Sequence, residues 1–137
     1  MHKFEKLSLP KPVFYYTLAL GIFGIAMGLW SAIQPMGMFN VGHMTLEGTG
    51  RDMIIYLFAG RNLAFGALFL IALFTYPTLS VFLTIYISRF VLDIADTISI
   101  WAAGLMALDR ALEQLVFLVP IPLIIIYLLK IQREIAE

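Results

Sequence analysis

The chain has 137 residues, of which 61% are hydrophobic and 13% charged, with a formal net charge of zero and no cysteine. Soluble domains carry about 25% charged residues, so lipid is the expected solvent for much of this apolar surface. Without a basic run, nucleic acid is not an expected partner. Without cysteine, disulfides, thiol nucleophiles and thiolate metal sites are excluded. The sequence therefore predicts one integral membrane domain over residues 1–137.

Four apolar segments are predicted to be membrane-spanning helices, because each is long enough to cross a hydrocarbon core of roughly 30 Å. The four segments extend over about residues 13–33, 51–74, 79–105 and 110–130. Helices are expected because lipid cannot satisfy backbone N–H and C=O groups. The predicted fold class is an all-α bundle of four transmembrane helices.

The first segment, Val13–Ile33, follows three lysines and superficially resembles a signal peptide. It is too long for the apolar region of a signal peptide, and no A-x-A cleavage pattern follows, so a retained helix is expected. Gly21, Gly24 and Gly28 form a stripe of small residues along it. Such a stripe indicates close packing against another helix.

The loop Gln34–Gly50 connects the first segment to the second and contains His43 and Glu47. Loops of this length without regular structure are often functional. Two interpretations are open, a surface loop or short interfacial helix, and a lid over an outward-facing cavity.

The second segment carries Arg61 and Asn62 near its middle. Arg61 lies ten residues beyond Arg51, which at 1.5 Å per helical residue places it about 15 Å deep in the membrane. A charged side chain at that depth costs several kcal/mol, so Arg61 is expected to face the bundle interior and to be paired.

The third segment carries Arg89, Asp93 and Asp96 at positions i, i+4 and i+7 of one helical face. Arg61 and Asp93 are expected at similar depths on neighbouring antiparallel helices, within reach of each other. Two arginines and two aspartates together carry no net charge. The cluster is interpreted either as a salt-bridge network that fixes helix register, or as a polar cavity that binds a substrate, a quinone-like ligand or a proton.

The fourth segment supplies the remaining candidates. Glu113 and Gln114 are expected at the outer membrane edge, where an outward-facing cavity would open, and a carboxylate there also favours a helix N-terminus. Pro120 and Pro122 are expected to free carbonyl groups in the preceding turn and to kink the helix. The candidate ligand-binding set is Arg61, Asn62, Arg89, Asp93, Asp96, Glu113 and Gln114, with Thr97 as a further hydrogen-bonding group.

The distribution of basic residues predicts the orientation. In a four-span chain, both termini and the turn near Pro77 share one side of the membrane. That side carries five basic residues, Lys3, Lys6, Lys11, Lys130 and Arg133, whereas the other side carries two, Arg51 and Arg110. The bias predicts cytoplasmic termini, and the expected location is a multi-pass protein of the inner cell membrane.

The sequence contains no motif that assigns a reaction. No H-E-x-x-H, G-x-S-x-G or P-loop pattern is present. His2 and His43 are the only histidines, and neither is in the core of a predicted helix, which excludes an intramembrane bis-histidine haem. No metal or cofactor is expected.

The chain carries motifs similar to those of a known family in two segments, Gly60–Gly66 (GRNLAFG) and Arg89–Asp96 (RFVLDIAD). The similarity extends over roughly Arg51 to Leu108. The chain resembles small four-helix membrane proteins of unknown function in the DoxX-like set. In that set an Arg…Gly motif in helix two faces an Arg…Asp…Asp motif in helix three. Relatives of the DoxX type include a subunit of a quinone-linked oxidoreductase, but many have no assigned activity, so the resemblance implies the architecture more than a function.

The expected function is binding of a small molecule or lipid-like ligand in a polar pocket inside the membrane, with or without catalysis. One alternative is a structural accessory subunit of a larger membrane complex. Another is a small proton-coupled transporter that works as a dimer. The expected partners are the lipid bilayer and a small hydrophobic ligand, together with a homo-oligomer or a larger complex under the alternatives.

Overall fold

The computed structural model describes residues 9–34, 49–104 and 107–136, and all regular secondary structure in these ranges is helical. The all-α prediction is therefore confirmed. The helices are α1 (Lys11–Ile33), α2 (Thr49–Phe74), α3 (Leu79–Ala102), α4 (Leu108–Phe117) and α5 (Pro120–Ala136). The interpretations of the loop Gln34–Gly50 fall largely on residues 35–48, which lie outside the described ranges.

Within the described residues, two helices have the length and apolar composition needed to cross a membrane, namely α1 and the part Met53–Phe74 of α2. Helix α3 has 24 residues, and three charged residues interrupt its apolar sequence near the middle. It ends three residues earlier than expected. Gly104 follows it with φ of 70°, a left-handed conformation that glycine adopts readily and that ends helices.

The fourth predicted segment is two helices rather than one kinked helix. Pro120 has no N–H to donate to Val116, and its ring disfavours a helical conformation at Val119. The chain closes two tight turns instead, since Val119 N donates to Val116 O at 3.2 Å and Ile121 N donates to Leu118 O at 3.0 Å. The predicted single helix with free carbonyls is therefore wrong, because these turns satisfy both carbonyl groups.

The most extensive helix contact joins α1 to α2 through the predicted glycine stripe. Gly21, Gly24 and Gly28 are all buried. A Cβ atom added at Gly24 would lie 3.0 Å from the backbone oxygen of Asn62 and 3.0 Å from Cα of Gly66. The stripe permits this close approach of two backbones, which confirms the prediction made from it.

The main apolar core lies near the α2–α3 turn (Thr75–Thr78), the end of the molecule called the turn end below. Phe69, Phe82 and Leu128 from α2, α3 and α5 are fully buried there. Every described side chain of α4 is exposed. The helices are therefore packed most closely at the turn end, while the opposite halves of α2 and α3 are covered less by other helices.

Candidate functional site

Two consecutive residues of α2 project into different surroundings. Successive side chains on an α-helix are about 100° apart, so Arg61 and Asn62 cannot face the same neighbour. Asn62 is buried and lies beside α1, whose Gly24 approaches its backbone oxygen. Arg61 is partly exposed and points to the cleft between α2 and α3.

Arg89, Asp93 and Asn62 form a hydrogen-bonded group that we call the core network. Arg89 Nε donates to Asp93 Oδ2 at 2.5 Å, and Arg89 Nη1 donates to Asn62 Oδ1 at 3.2 Å. The side chains of Arg89 and Asp93 are 19% and 10% exposed. The Arg89 guanidinium also lies 5.4 Å from the ring centroid of Phe65, a cation–π distance. The network thus neutralises a buried carboxylate and ties α3 to α2.

Arg61 and Asp96 form an ion pair across the α2–α3 interface, which we call the cleft pair. Their side chains are 21% and 34% exposed, so the pair is more open than the core network. The Arg61 guanidinium lies 5.2 Å from the ring centroid of Phe58. Arg61 Nε is buried and has no hydrogen-bond partner among the described residues. The cleft pair therefore retains a donor that is not satisfied by the described part of the chain.

The cleft pair borders a cavity of about 440 Å³ between α2 and α3. Small-molecule sites commonly have volumes of about 300–1,000 Å³, so this cleft has the size of such a site. Its lining is mostly apolar, with Arg61, Asp96 and Ser99 as the polar residues. The residues that line it are Ile54, Leu57, Phe58 and Arg61 from α2 and Asp96, Ser99 and Ile100 from α3.

A second cavity of about 20 Å³ lies beside Arg89 and Asn62, between α1 and α2. Its volume suits a single water molecule, which needs roughly 10–15 Å³. It is too small for an organic ligand. Of these two cavities, only the larger cleft can admit one.

The predicted partnership of Arg61 with Asp93 is wrong. Asp93 is bonded to Arg89, four residues earlier on its own helix, where the arginine side chain reaches it directly. Asp96 lies one turn further along and about 60° around α3, on the side that faces Arg61. Two ion pairs form from the four predicted charges, and Arg61 pairs with Asp96 instead of Asp93.

The remaining candidates lie outside these two groups. Glu113 is exposed and paired with Arg110 at 2.8 Å on α4, and it is not among the described residues that line the cleft. Gln114 is part of α4, and its side chain is outside the described structure. Thr97 is buried, and its hydroxyl donates to the backbone oxygen of Asp93 at 2.8 Å, so it serves its own helix.

The apolar lining of the cleft was not predicted from the sequence, although a periodic signal was present. Ile54, Leu57 and Phe58 precede Arg61 by seven, four and three residues, which places them on its helical face. Ser99 and Ile100 follow Asp96 by three and four residues. The charged positions therefore predict their neighbours on each helix once the facing pair is known.

A hydroxyl pair between α1 and α3 was also missed. Thr17 Oγ1 donates to Val13 O at 2.7 Å and lies 2.7 Å from Tyr86 Oη. Since the single hydroxyl proton of Thr17 is used by Val13, Tyr86 is the donor in the second bond. Both side chains are fully buried, so this bond fixes α1 against α3 in the core.

No protein-family model, curated protein or solved structure matches the chain. The function of the cleft is accordingly inferred from its own geometry.

Proposed function

We propose that the protein is a four-span integral membrane protein that binds a small lipid-soluble molecule in the cleft between α2 and α3. Helices α1 and α2 provide two spans. Helix α3, with 24 residues, is about 36 Å long at 1.5 Å per residue and provides the third span. Helices α4 and α5 together provide the fourth. The basic residues, five against two, support cytoplasmic termini.

The observation that carries the binding proposal is the cleft of about 440 Å³ beside the partly exposed pair Arg61–Asp96. An ion pair that served only as scaffold would be expected in an enclosed position without room for an organic ligand, as the core network is. The cleft pair instead has open space on one side and a buried donor without a described partner. We therefore assign the core network to structure and the cleft pair to ligand binding.

Contact between the two motifs also supports placing the chain in the DoxX-like set. Arg61 and Asn62 belong to the first motif, and Arg89, Asp93 and Asp96 belong to the second. Arg61 pairs with Asp96, and Asn62 accepts from Arg89, so both motifs contribute to one polar region.

Photo-crosslinking tests the binding proposal. A dodecanol that bears a diazirine is incorporated, together with the purified protein, into nanodiscs of uncharged lipid. The nanodiscs are irradiated, and mass spectrometry of the peptides locates the covalent label. We expect label on residues 54–61 and 96–100 that excess unlabelled dodecanol removes. Label on the exposed α1 residues Ile22 and Phe23 should persist, because contact with bulk lipid is not saturable.

Matched variants of one helix provide the control. Ser99→Phe should fill the cleft and remove the competable label, whereas Ser88→Phe, at an exposed position outside the cleft, should keep it. Ile54→Phe fills the cleft from α2 if Ser99→Phe does not fold. Label in the cleft that dodecanol cannot displace would contradict ligand binding and favour a structural accessory subunit.

A further inference from the structure

The charges of the cleft pair cancel at the place where a ligand head group would lie. Arg61 and Asp96 are both partly exposed, so each charge is accessible from the cleft. A cationic head group would be attracted by Asp96 and repelled by Arg61, and an anionic head group would meet the reverse. Neither gains enough Coulomb energy to offset the hydration it loses between apolar walls.

The same two side chains offer complementary hydrogen bonds. The Arg61 side chain is 21% exposed, and its guanidinium has five N–H donors, more than one ion pair uses. The Asp96 carboxylate has more acceptor sites than one ion pair uses. A hydroxyl or amide group both accepts and donates, so it can bond to Arg61 and to Asp96 at once. A lone carbonyl can satisfy only the arginine.

The third polar group of the cleft adds an acceptor. The Ser99 hydroxyl donates to the backbone oxygen of Ala95 at 2.7 Å, so its proton is used within α3 and its oxygen is left to accept. A ligand head group with a donor is therefore favoured here as well.

The walls indicate where the rest of the ligand lies. Ile54, Phe58 and Ile100 give the cleft an apolar lining. Leu57 also lines it and is largely exposed on the outside of the bundle. The cleft lining is thus continuous with the surface that faces lipid in the four-span arrangement. An apolar tail can extend sideways from the cleft into the bilayer without exposure to water.

We infer that the cleft between α2 and α3 selects uncharged amphiphiles, with a hydroxyl or amide head at Arg61 and Asp96 and an apolar tail directed toward the bilayer. This inference rests on the proposed function and specifies its ligand class. It excludes fatty-acid anions and alkylammonium ions as preferred ligands. Selection follows from the net neutrality of the pair, so removal of either charge should redirect it.

Competition against the photolabel at the cleft tests the inference in neutral-lipid nanodiscs. The competitors are dodecanol, dodecanesulfonate and dodecyltrimethylammonium, which share a tail and whose charges do not depend on pH. We expect dodecanol to displace the label at a concentration at least about tenfold lower than either ion, since a tenfold ratio corresponds to about 1.4 kcal/mol and a buried unpaired charge costs more.

Two charge-removing variants should shift this selectivity in opposite directions. Asp96→Asn leaves the positive charge of Arg61 and should improve competition by the sulfonate relative to the ammonium. Arg61→Gln leaves the negative charge of Asp96 and should produce the reverse. General destabilisation cannot produce shifts of opposite sign. Arg110→Gln, which breaks an exposed ion pair on α4, should leave the selectivity unchanged.

Two failures can be distinguished. If none of the three compounds competes in the unchanged protein, ligand binding and the inference fall together. If the compounds compete but either ion does so as well as dodecanol, or the two variants shift selectivity in the same direction, the cleft binds ligands and the inference about their class is overturned.

Discussion

Arg61 and Asn62 are neighbours in the sequence and belong to different polar groups. Asn62 is the acceptor that joins α2 to Arg89, and Arg61 meets Asp96 at the edge of the cleft. Since one helical step of about 100° separates them, α2 contributes to a buried scaffold and to an open site from adjacent positions. Substitutions at these two residues should consequently affect different properties.

The core network gives a prediction about stability. Arg89→Leu should lower the free energy of unfolding by about 3–5 kcal/mol, the usual effect of leaving one member of a buried ion pair without its partner. The double variant Arg89→Leu/Asp93→Leu should recover much of the loss, because both remaining side chains suit an apolar interior. Unfolding by sodium dodecyl sulfate in mixed micelles, followed by circular dichroism, measures both.

An exposed ion pair serves as the control for the comparison of the single and double variants. Lys130 and Glu134 are 3.9 Å apart on α5, with side chains 76% and 63% exposed. Glu134→Gln should change stability little, because exposed pairs contribute little. A double variant Arg89→Leu/Asp93→Leu as unstable as Arg89→Leu alone would show that the loss does not come from a stranded carboxylate.

The residues of the site could be predicted from sequence better than their partners. Charged residues in apolar segments are conspicuous, and their depths follow from counting along a helix. The choice between Asp93 and Asp96 as the partner of Arg61 depends on how α3 is rotated against α2. Asp93 and Asp96 differ by one turn along α3 and by about 60° around it. No feature of α3 alone specifies which of the two faces Arg61.

At the scale of whole helices, α1 and α2 meet through backbone atoms at Gly24 and Gly66, while the side chains of Leu70 and Leu63 lie against Gly21 and Gly28. Gly66 of α2 lies opposite the α1 stripe, and a Cβ atom added there would be 2.6 Å from Ile25 N and 2.8 Å from Gly21 O. Backbone atoms cannot move aside as a flexible side chain can. The spacing of these two helices is therefore fixed by the absence of side-chain atoms.

Two glycines of α2 give a matched test of this packing. Gly66→Ala should destabilise the protein by about 1–3 kcal/mol, the usual range for overpacking. Gly60→Ala should be neutral or stabilising, because a Cβ atom there meets nothing within 4 Å and alanine is the better helix former. Thermal unfolding in detergent compares them. Equal destabilisation by both substitutions would place the effect in α2 itself rather than in its contact with α1.

Helix boundaries show where sequence patterns are sufficient. Long apolar runs locate α1, α2 and α3 to within a few residues, because their length and composition determine them locally. The division of the last segment into α4 and α5 was not predicted. Proline permits a kink or a break, and the outcome at Pro120 depends on whether the adjacent carbonyls find donors in tight turns.

At the scale of the whole molecule, the four-span proposal makes a prediction about sidedness. The chain has no cysteine, so a single introduced cysteine is the only thiol. Tyr76 and Ala107 are both exposed and belong to opposite ends of α3. With cytoplasmic termini, Tyr76→Cys should react with a membrane-impermeant maleimide only in inverted vesicles, and Ala107→Cys only in intact cells.

The labelling pattern separates two possible errors. If the accessible sides are exchanged, the orientation drawn from basic residues is wrong, and α3 still crosses the membrane. If both cysteines react from the same side, α3 does not cross the membrane and the four-span arrangement is wrong. A cysteine at Ser80, which is exposed and close to the turn, should follow Tyr76→Cys in either case.

The uneven apolar character of the helices has a consequence for biogenesis. Among the described helices, α1 and the part Met53–Phe74 of α2 have the length and apolar composition of a membrane span, whereas α3 carries three charges that each oppose insertion by about 2.5–3.5 kcal/mol at a helix centre. In the four-span arrangement, α3 enters favourably only after α2 has presented Arg61 and Asn62 to it. A substitution that keeps α2 itself from inserting, such as a charge on its apolar face, would then also prevent the next helix from being integrated by the translocon. Such alleles would behave as losses of protein from the cell, unlike single substitutions that only change the cleft.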